Sequence, residues 1–542
     1  MKLKRFLLIV GIAVILLYSC DSSNNWSLPV YEGPGGGVNN KFFTEDMTNG
    51  NHYVLYADLV YEGTNCNVWV ERNKGIDTAE AIKAGKEFDG KNTGPGIYGK
   101  LKPVFNFTEA SLAGENFSLN TLQFANMFCN NTDIEKITIL ILDIKDGNDP
   151  DVYTAGYFWA MDFFGPDLSY YNQSWFSNEC PMLYINKKLL EKPEKAEELY
   201  TTIAHETQHL MNFTADLAIR SKWSKSGTSV MLTELNMMDT WINEGLSAAA
   251  EYLYSEEFSE ERVKWFNSDP YGTITKGNNF YVWAPYSSST PATILDDYAT
   301  AYYFFQWLRL QSNGTTIYNN IITSPSYDYQ AVIAAAGKSP GGIDSSYNNI
   351  TTGWGLLLRD WSAANYRYFA DSETGRYGYK GLITKKYLKD SKTNQDIKKI
   401  FYLDTLVSNT TNWPLAPGGG VYTKKSMTLS AQSGYIRYAG WSGTAPIDSG
   451  TTSNFLLSYN INTDTEGSSA NCAPFSMANA ASSDVSVDTV SRSIIQERQE
   501  RQPIPGGPYA ISAGDMRVIN GLKDDSSSLN TRTISREIRK GE

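Results

Sequence analysis

The sequence predicts a multidomain α+β protein, in which a mainly helical central domain with a small sheet is flanked by an N-terminal and a C-terminal β-domain. Three observations favour this class. The chain has 542 residues, which is too long for one compact core. Apolar residues make up 41% and aromatic residues 13%, as in folded proteins. Short β-like runs occur towards both ends, and helical patterns occur in the middle.

Changes of pattern along the chain predict six segments. They are a signal peptide at 1–20, a flexible tether at 21–44, an N-terminal β-domain at 45–130, the central domain at 131–415, a C-terminal β-domain at 416–530 and a tail at 531–542.

The N-terminus is typical of an exported protein. Three basic residues, Lys2, Lys4 and Arg5, precede an apolar run at 6–17 that is short for a bilayer span. The run ends in LYSC, which resembles a bacterial lipobox, so we expect Cys20 to carry lipid and to anchor the chain at the bacterial cell envelope or surface. An uncleaved membrane anchor is the alternative interpretation.

Charge and cysteine content limit the function classes. The net charge is −12 and there is no stripe of basic residues, which argues against nucleic-acid binding. No C-x-x-C pair suggests a zinc knuckle or a redox site. Besides Cys20, the four cysteines allow three disulfide pairings: Cys66, Cys129, Cys180 and Cys472.

Strands are predicted in the first third of the chain. The segment HYVLYADLVYEGTNCNVWVERN alternates apolar and polar residues on both sides of Gly63, which predicts a β-hairpin. The apolar run in EKITILILDIKDG predicts a buried strand, and CPMLYINKK predicts another.

Three helices are predicted in the central domain. The first opens at Pro193, a favourable first-turn residue, and runs to about Phe213. The second covers about 233–254, and the third, at 294–310, is aromatic around most of its circumference and therefore buried. A further short helix is expected near WGLLLRDWSAANYRYF, and from about Lys425 short β runs predict the C-terminal β-domain.

The first helix carries the motif HETQH. His205 and His209 are four residues apart, so they face the same side of a helix and can bind one metal ion. Glu206 lies about 100° further round the helix, which suits a general base for a water on that metal. This H-E-x-x-H spacing therefore predicts a zinc site that hydrolyses peptide bonds.

A catalytic zinc site needs a third protein ligand, and His52, the only other histidine, lies far upstream. A carboxylate is therefore expected, and WINEGLSAAAEY offers one. Here the sequence resembles the gluzincin metallopeptidases, and most closely the hyicolysin family of neutral metallopeptidases. The resemblance covers residues 199–253 and implies a zincin-like central domain with Glu244 as the third ligand.

Two further roles are left with alternatives. Glu251, two turns after Glu244, is either a competing ligand or a partner that orients a histidine N–H group. The resemblance also implies a tyrosine as hydrogen-bond donor to the oxyanion. Tyr298 in LDDYATAYYFF is the first choice, Tyr302 and Tyr303 are alternatives, and a purely structural role for Tyr298 is equally open.

The acidic turn DIKDGNDPD, at 143–151, could bind calcium through its clustered carboxylates, although it does not match an EF-hand and a solvated turn is favoured.

The sequence therefore predicts a zinc-dependent endopeptidase that acts on a protein or peptide substrate. An aminopeptidase is less favoured because there is no G-x-M-E-N type motif. A different class is also open, a surface lipoprotein that binds a ligand or mediates adhesion and has a non-catalytic metal site. Natural substrate and oligomeric state are not predicted.

Overall fold

The computed structural model of the protein describes only part of the chain. The described residues are 35–49, 51–91, 94–105, 110–112, 115–117, 136–146, 152–164, 177–191, 196–226, 229–257, 259, 262, 266, 280–283, 293–312, 314–338, 345–349, 351–367, 377–379, 413–415, 417–423, 428–430, 432, 434–442, 445–452, 456–463, 473–475 and 534–538.

The described strands are numbered along the chain. The first ten are β1 (Lys41–Asp46), β2 (Asn51–Glu62), β3 (Cys66–Glu71), β4 (Gly90–Lys91), β5 (Gly94–Pro95), β6 (Ala110–Leu112), β7 (Glu115–Phe117), β8 (Ile137–Leu142), β9 (Val152–Phe158) and β10 (Met182–Asn186). The others are β11 (Lys222–Ser226), β12 (Ser229–Glu234), β13 (Trp413–Leu415), β14 (Gly420–Thr423), β15 (Thr428–Leu429), β16 (Ile436–Ser442), β17 (Ala445–Ile447), β18 (Gly450–Thr451), β19 (Leu456–Asn460), β20 (Ala473–Phe475) and β21 (Ile534–Ile538).

The described residues also form eight α-helices. They are α1 (Thr78–Asp89), α2 (Ile97–Phe105), α3 (Ala196–Ala215), α4 (Thr240–Ser255), α5 (Thr293–Gln311), α6 (Thr316–Ile322), α7 (Tyr329–Lys338) and α8 (Gly353–Arg367).

The main sheet has the strand order β1-β2-β3-β8-β10-β9-β21. The central pairs β3–β8 and β8–β10 are parallel, and the remaining neighbours are antiparallel. Strand β8 has the sequence ITILIL, and all six residues are buried because neighbouring strands and both faces of the sheet are covered. The sheet curls strongly: the Thr44 hydroxyl of β1 lies 3.0 Å from the Tyr157 hydroxyl of β9, although four strands separate β1 from β9 in the order.

The fold is therefore mixed α/β, with this curled sheet and the eight helices. The predicted hairpin is confirmed as β2 and β3, and the two predicted buried strands are β8 and β10. The sheet continues across residue 130, where the sequence predicts a domain boundary, and the division into domains stays a prediction.

The predicted helix at 233–254 is wrong at its beginning. Residues Ser229–Glu234 form strand β12, which pairs with β11 in an antiparallel hairpin, and helix α4 begins only at Thr240. Of the predicted helix, Thr233 and Glu234 lie in this strand, and residues 235–239 lie in neither a helix nor a strand. Local pattern does not identify the partner strand β11. The third predicted helix is α5, and the short helix near WGLLLRDWSAANYRYF is α8.

Helices α3, α4 and α5 pack side by side and hold the site described below. Gly245 of α4 allows close approach to α5, because a Cβ atom there would lie 2.2 Å from the Phe305 ring. Trp241, also on α4, contacts an aromatic cluster whose members include Phe280, Tyr281 and Trp354, with ring centroids 5.3–5.6 Å from its own. These contacts fix the rotation of α4 about its axis.

In the C-terminal part, four of the described strands form an antiparallel sheet in the order β14-β19-β16-β17, and β13–β20 and β15–β18 are separate strand pairs. The four-stranded sheet packs on α8, where the Tyr422 hydroxyl donates to the Ser362 carbonyl and Arg359 pairs with Asp448.

Several predictions concern residues outside the described ranges, namely the signal peptide, Cys20, Pro193, Cys129 and Cys472. Cys66 and Cys180 are buried free thiols. In the described part of the chain, every helix is too short or too polar to cross a membrane.

Candidate metal centre

Helix α3 is the buried central helix of this region. Every residue from Thr202 to Ala215 is buried, including the polar ones. Thr207 and Thr214 satisfy their hydroxyls by donating to backbone carbonyls four residues earlier, which allows these polar residues to lie inside the protein. The helix ends in a single π-turn at Asp216–Arg220, a feature that often accompanies functional sites.

The structure brings together the three residues predicted as metal ligands. The imidazole rings of His205 and His209 have centroids 4.7 Å apart on one face of α3. The Oε2 atom of Glu244, from α4, lies 3.3 Å from Nε2 of His205 and 3.5 Å from Nε2 of His209. One ligand atom from each residue lies within 4.8 Å of the other two.

These three residues fit a zinc ion. The Nε2 atoms of both histidines and Oε2 of Glu244 are buried, and none has a hydrogen-bond partner within the described ranges. Converging buried polar atoms without partners are costly, and a divalent cation would satisfy all three at once. Two imidazoles and one carboxylate are a donor set typical of catalytic zinc sites. Among the described residues, this is the only group of three such side chains so placed.

On its outer side, His205 contacts a carboxylate. Its Nδ1 atom lies 2.7 Å from Oε1 of Glu251, and Arg262 donates to both oxygens of that carboxylate. Burial raises the pKa of Glu251, but Arg262 and His205 outweigh it and lower the pKa to about 2. Of the two roles considered for Glu251, its position on the outer nitrogen favours the orienting role over that of a ligand.

His209 is held on its outer side by neutral groups. Its Nδ1 atom lies 3.1 Å from Oδ1 of Asn243 and 2.9 Å from the hydroxyl of Ser247. Asn243 also accepts a hydrogen bond of 2.8 Å from Nδ2 of Asn212. Burial and then the nearby His205 lower the pKa of His209 well below its ordinary value. This lowered pKa favours the neutral form of the ring, which is the form that binds a metal.

Burial and neighbouring charges also shift the pKa values of His205 and Glu244. Burial lowers the pKa of His205, but Glu244 and Glu251 outweigh it and raise the pKa to about 9. Burial raises the pKa of Glu244, and His205 and Tyr298 partly offset this effect. A bound cation would compete with the proton for His205 and would favour the ionised form of Glu244.

The predicted base and oxyanion donor lie beside this cluster. Glu206 is fully buried, and its charge contributes to the raised pKa of His205. The Tyr298 ring lies 6.3 Å from the His205 ring, and its hydroxyl hydrogen-bonds Glu244. Of the alternatives, Tyr302 accepts from the Ser259 backbone, and Tyr303 packs on Phe266. The chemical roles of Glu206 and Tyr298 stay predictions.

The sequence did not indicate three further residues near the site. Asn212 hydrogen-bonds Asn243, Arg220 hydrogen-bonds Asn212, and Arg262 hydrogen-bonds Glu251. Asn212 is three residues after His209, so helical spacing could have placed it on the ligand face. Arg220 and Arg262 reach the site only through hydrogen bonds that form on folding, and no local sequence pattern indicates them.

Two other predicted features lie elsewhere. His52 is opposite Glu45 in the β1–β2 pair, and its ring centroid is 6.1 Å from that of Trp159. In the acidic turn, Asp143 forms ion pairs with Lys74 and Lys187, which disfavours a calcium ion there, and 147–151 lie outside the described residues. Calcium binding is therefore not supported.

The chain is similar to a neutral metalloprotease, ShpI of Staphylococcus hyicus. The two sequences are 27% identical over 302 residues, which is 55% of this chain and 57% of that protein. The chain thus matches little more than half the length of this curated relative. No protein-family model matches the chain. This similarity, together with the cluster of His205, His209 and Glu244, supports a metal-dependent peptidase.

Proposed function

We propose that this protein is a zinc-dependent endopeptidase, exported and anchored to the bacterial cell envelope through a lipid on Cys20. The observation that carries the proposal is the convergence of three buried ligand atoms, from His205, His209 and Glu244, in one small space. The sequence similarity to a metalloprotease supports the same activity.

When bound, a zinc ion would polarise the peptide carbonyl and make a water molecule more acidic. Glu206 acts as the base, because its carboxylate is on the helix face next to the ligands and is shielded from solvent. It accepts a proton from the attacking water and delivers it to the leaving amine. Tyr298 donates a hydrogen bond to the carbonyl oxygen as negative charge develops there.

A carboxylate at position 206 is what separates a peptidase from a non-catalytic metal site. A structural zinc site needs no general base, and burying a carboxylate without a function is costly. Glu206 is 0% exposed, and in the sequence it directly follows His205 and precedes His209 by three residues. This observation favours the peptidase over a binding module with a silent metal site.

The proposal predicts the effect of Glu206→Gln. The variant should bind zinc as tightly as wild type, because the three ligands are intact, but lose at least about 1,000-fold in cleavage of casein because the base is gone. Metal content by mass spectrometry and casein hydrolysis are the two measurements. Glu45→Gln, which changes a buried carboxylate of strand β1, is the matched control and should retain activity.

Undiminished hydrolysis by Glu206→Gln would refute the mechanism, and absence of stoichiometric zinc in the wild type would refute the function. Cleavage of a peptide with a blocked N-terminus distinguishes an endopeptidase from an aminopeptidase. The anchor is tested separately, since Cys20→Ser should move the protein from the membrane fraction to the soluble fraction.

A further inference from the structure

A chain of hydrogen bonds runs from His209 to a buried arginine at the end of helix α3. Arg220, in the π-turn, donates to Asp216 and to the carbonyls of Ile322 and Ser324 at 2.7 and 2.9 Å. Its remaining NH2 group donates to Oδ1 of Asn212 at 3.3 Å. The side chain is buried, and these contacts connect α3 to the end of α6.

Arg220 fixes which atom donates and which atom accepts in every hydrogen bond of this series. A guanidinium has donors and no acceptor, so the atom of Asn212 that faces Arg220 is its oxygen. The NH2 group of Asn212 therefore faces Asn243, 2.8 Å away, and the facing atom of Asn243 must be its oxygen. That same oxygen lies 3.1 Å from Nδ1 of His209. Because the oxygen can only accept, Nδ1 of His209 carries the proton.

We propose that Arg220 and Asn212 are positioning residues that hold His209 in the tautomer with its proton on Nδ1. The lone pair of Nε2 then points at the metal position. This inference rests on the proposed zinc function for its purpose, although the tautomer itself is a property of the metal-free protein.

The other contact of His209 has the same polarity but can be reversed. The hydroxyl of Ser247 lies 2.9 Å from Nδ1 and donates its one proton to Oε1 of Gln208, so it accepts from His209. The Gln208 amide could turn over and free that proton, because its Nε2 atom has no hydrogen-bond partner among the described residues. Asn243 could also turn its amide over at little cost, because its Nδ2 atom has no hydrogen-bond partner among the described residues. The polarity imposed by Arg220 through Asn212 is therefore the constraint that selects one arrangement.

Asn212→Asp tests the inference with an almost identical shape. The aspartate still accepts from Arg220 but presents an oxygen, not an NH2 group, to Asn243. The Asn243 amide should turn over, present its NH2 group to Nδ1 of His209, and move the histidine proton to Nε2. The zinc ligand atom is then blocked, and we expect zinc affinity to fall about 10- to 100-fold.

The direct readout is imidazole ¹⁵N chemical shifts in metal-free, histidine-labelled full-length protein. The chain has three histidines, so the spectrum contains few signals, and His52→Gln assigns one of them. Wild type should show His209 protonated on Nδ1, and Asn212→Asp should show it protonated on Nε2. Arg220→Lys, which keeps a donor-only cation, should retain the wild-type tautomer.

Asn365→Asp is the matched control. Asn365 is a buried asparagine of α8 that accepts a 2.5 Å hydrogen bond from Tyr379, away from the metal cluster. Its change to aspartate should leave both the His209 tautomer and zinc affinity as in wild type.

An Nε2-protonated His209 in metal-free wild type would overturn the inference without any variant, even if Asn212→Asp does not fold. So would a folded Asn212→Asp protein with the wild-type tautomer and zinc affinity, and in that case the zinc function would stand. Conversely, a wild type that has the Nδ1 proton but binds no zinc would remove the proposed function and leave the tautomer inference intact.

Discussion

At the scale of single residues, the two histidines proposed as ligands are held in different ways. His205 contacts an ionised carboxylate, Glu251, which is paired with Arg262, whereas His209 contacts the neutral side chains of Asn243 and Ser247. A carboxylate partner makes an imidazole a stronger electron donor, while an amide mainly fixes its orientation. We therefore expect His205 to be the stronger of the two histidine ligands.

Glu251→Gln tests this difference. The substitution removes the negative charge that faces Nδ1 of His205 and leaves Arg262 without its ion pair, so zinc affinity should fall about 10- to 100-fold. Competition with a fluorescent chelator gives the dissociation constant. Glu256→Gln removes the charge of an exposed carboxylate five residues further on and should leave zinc affinity unchanged. Equal affinities for both variants and wild type would contradict the role assigned to Glu251.

The proposed metal ligands illustrate what a sequence can reveal at this scale. His205 and His209 could be predicted because helical spacing is local, and two residues four apart face one point whatever the rest of the fold does. Predicting Glu244 required a resemblance to known proteins, because local spacing does not show that α4 packs beside α3. Arg220 could not be predicted, since its contacts with Ile322 and Ser324 join residues about a hundred positions apart.

At the scale of elements, the site depends on the close packing of α4 against α5. Glu244, the proposed ligand on α4, is followed by Gly245, which faces the Phe305 ring of α5. The absence of a Cβ atom at Gly245 lets the two helices approach, and it thereby sets the distance between Glu244 and the histidines of α3.

Gly245→Ala should therefore disturb both folding and metal binding. The added methyl group would lie 2.2 Å from Phe305, and relieving that overlap should cost about 1–3 kcal/mol of unfolding free energy and weaken zinc binding. Chemical denaturation and metal competition measure the two effects. Adding Phe305→Leu to Gly245→Ala should restore much of both losses.

Gly94→Ala is the control for this pair, because a Cβ atom at Gly94 would meet no atom of the described residues within 4 Å. If Gly245→Ala were as stable as Gly94→Ala and bound zinc equally well, the packing of α4 on α5 would not determine the ligand geometry.

Elements were predicted well where their signal is local and poorly where it is not. The apolar run of β8 identified a buried strand, and the aromatic circumference of α5 identified a buried helix. The predicted beginning of the second helix was wrong, because Thr233 and Glu234 belong to the strand that pairs with β11 and α4 begins only at Thr240. Whether an apolar run becomes a strand depends on a partner strand, which the run itself does not identify.

At the scale of the whole molecule, the curled sheet is closed by a buried acid. Asp162 is fully buried and accepts hydrogen bonds of 2.6 Å from the Tyr184 hydroxyl and from the Asn178 backbone. Asn178 in turn holds both the backbone N–H and the carbonyl of Phe43 on β1. Burial raises the pKa of Asp162 to about 7, although Tyr184 and Asn178 oppose it.

This raised pKa predicts a pH dependence of stability. Between about pH 4 and 7 the folded protein keeps a proton on Asp162 that the unfolded chain releases. The associated stability is complete below about pH 4 and is lost as the pH rises through about 7. The loss has an upper limit of about 4 kcal/mol, and it should be absent in Asp162→Asn.

Urea denaturation at pH 5 and pH 8 measures this contribution. Wild type should lose more stability between the two pH values than Asp162→Asn does, and Asp58→Asn, at a largely exposed carboxylate, should behave as wild type. A parallel decline in wild type and Asp162→Asn would show that the pH dependence has another source.

The burial of the candidate metal centre has a consequence for the rate of the proposed peptidase. His205, Glu206 and His209 are 0% exposed, Glu244 is 1% exposed and Tyr298 is 3% exposed. A polypeptide cannot touch these groups while the molecule keeps this arrangement, so each turnover of the proposed peptidase must wait for a conformational change that exposes them. Short peptides and long unfolded chains should then have the same maximum turnover rate, and a more viscous solvent should lower that rate for both.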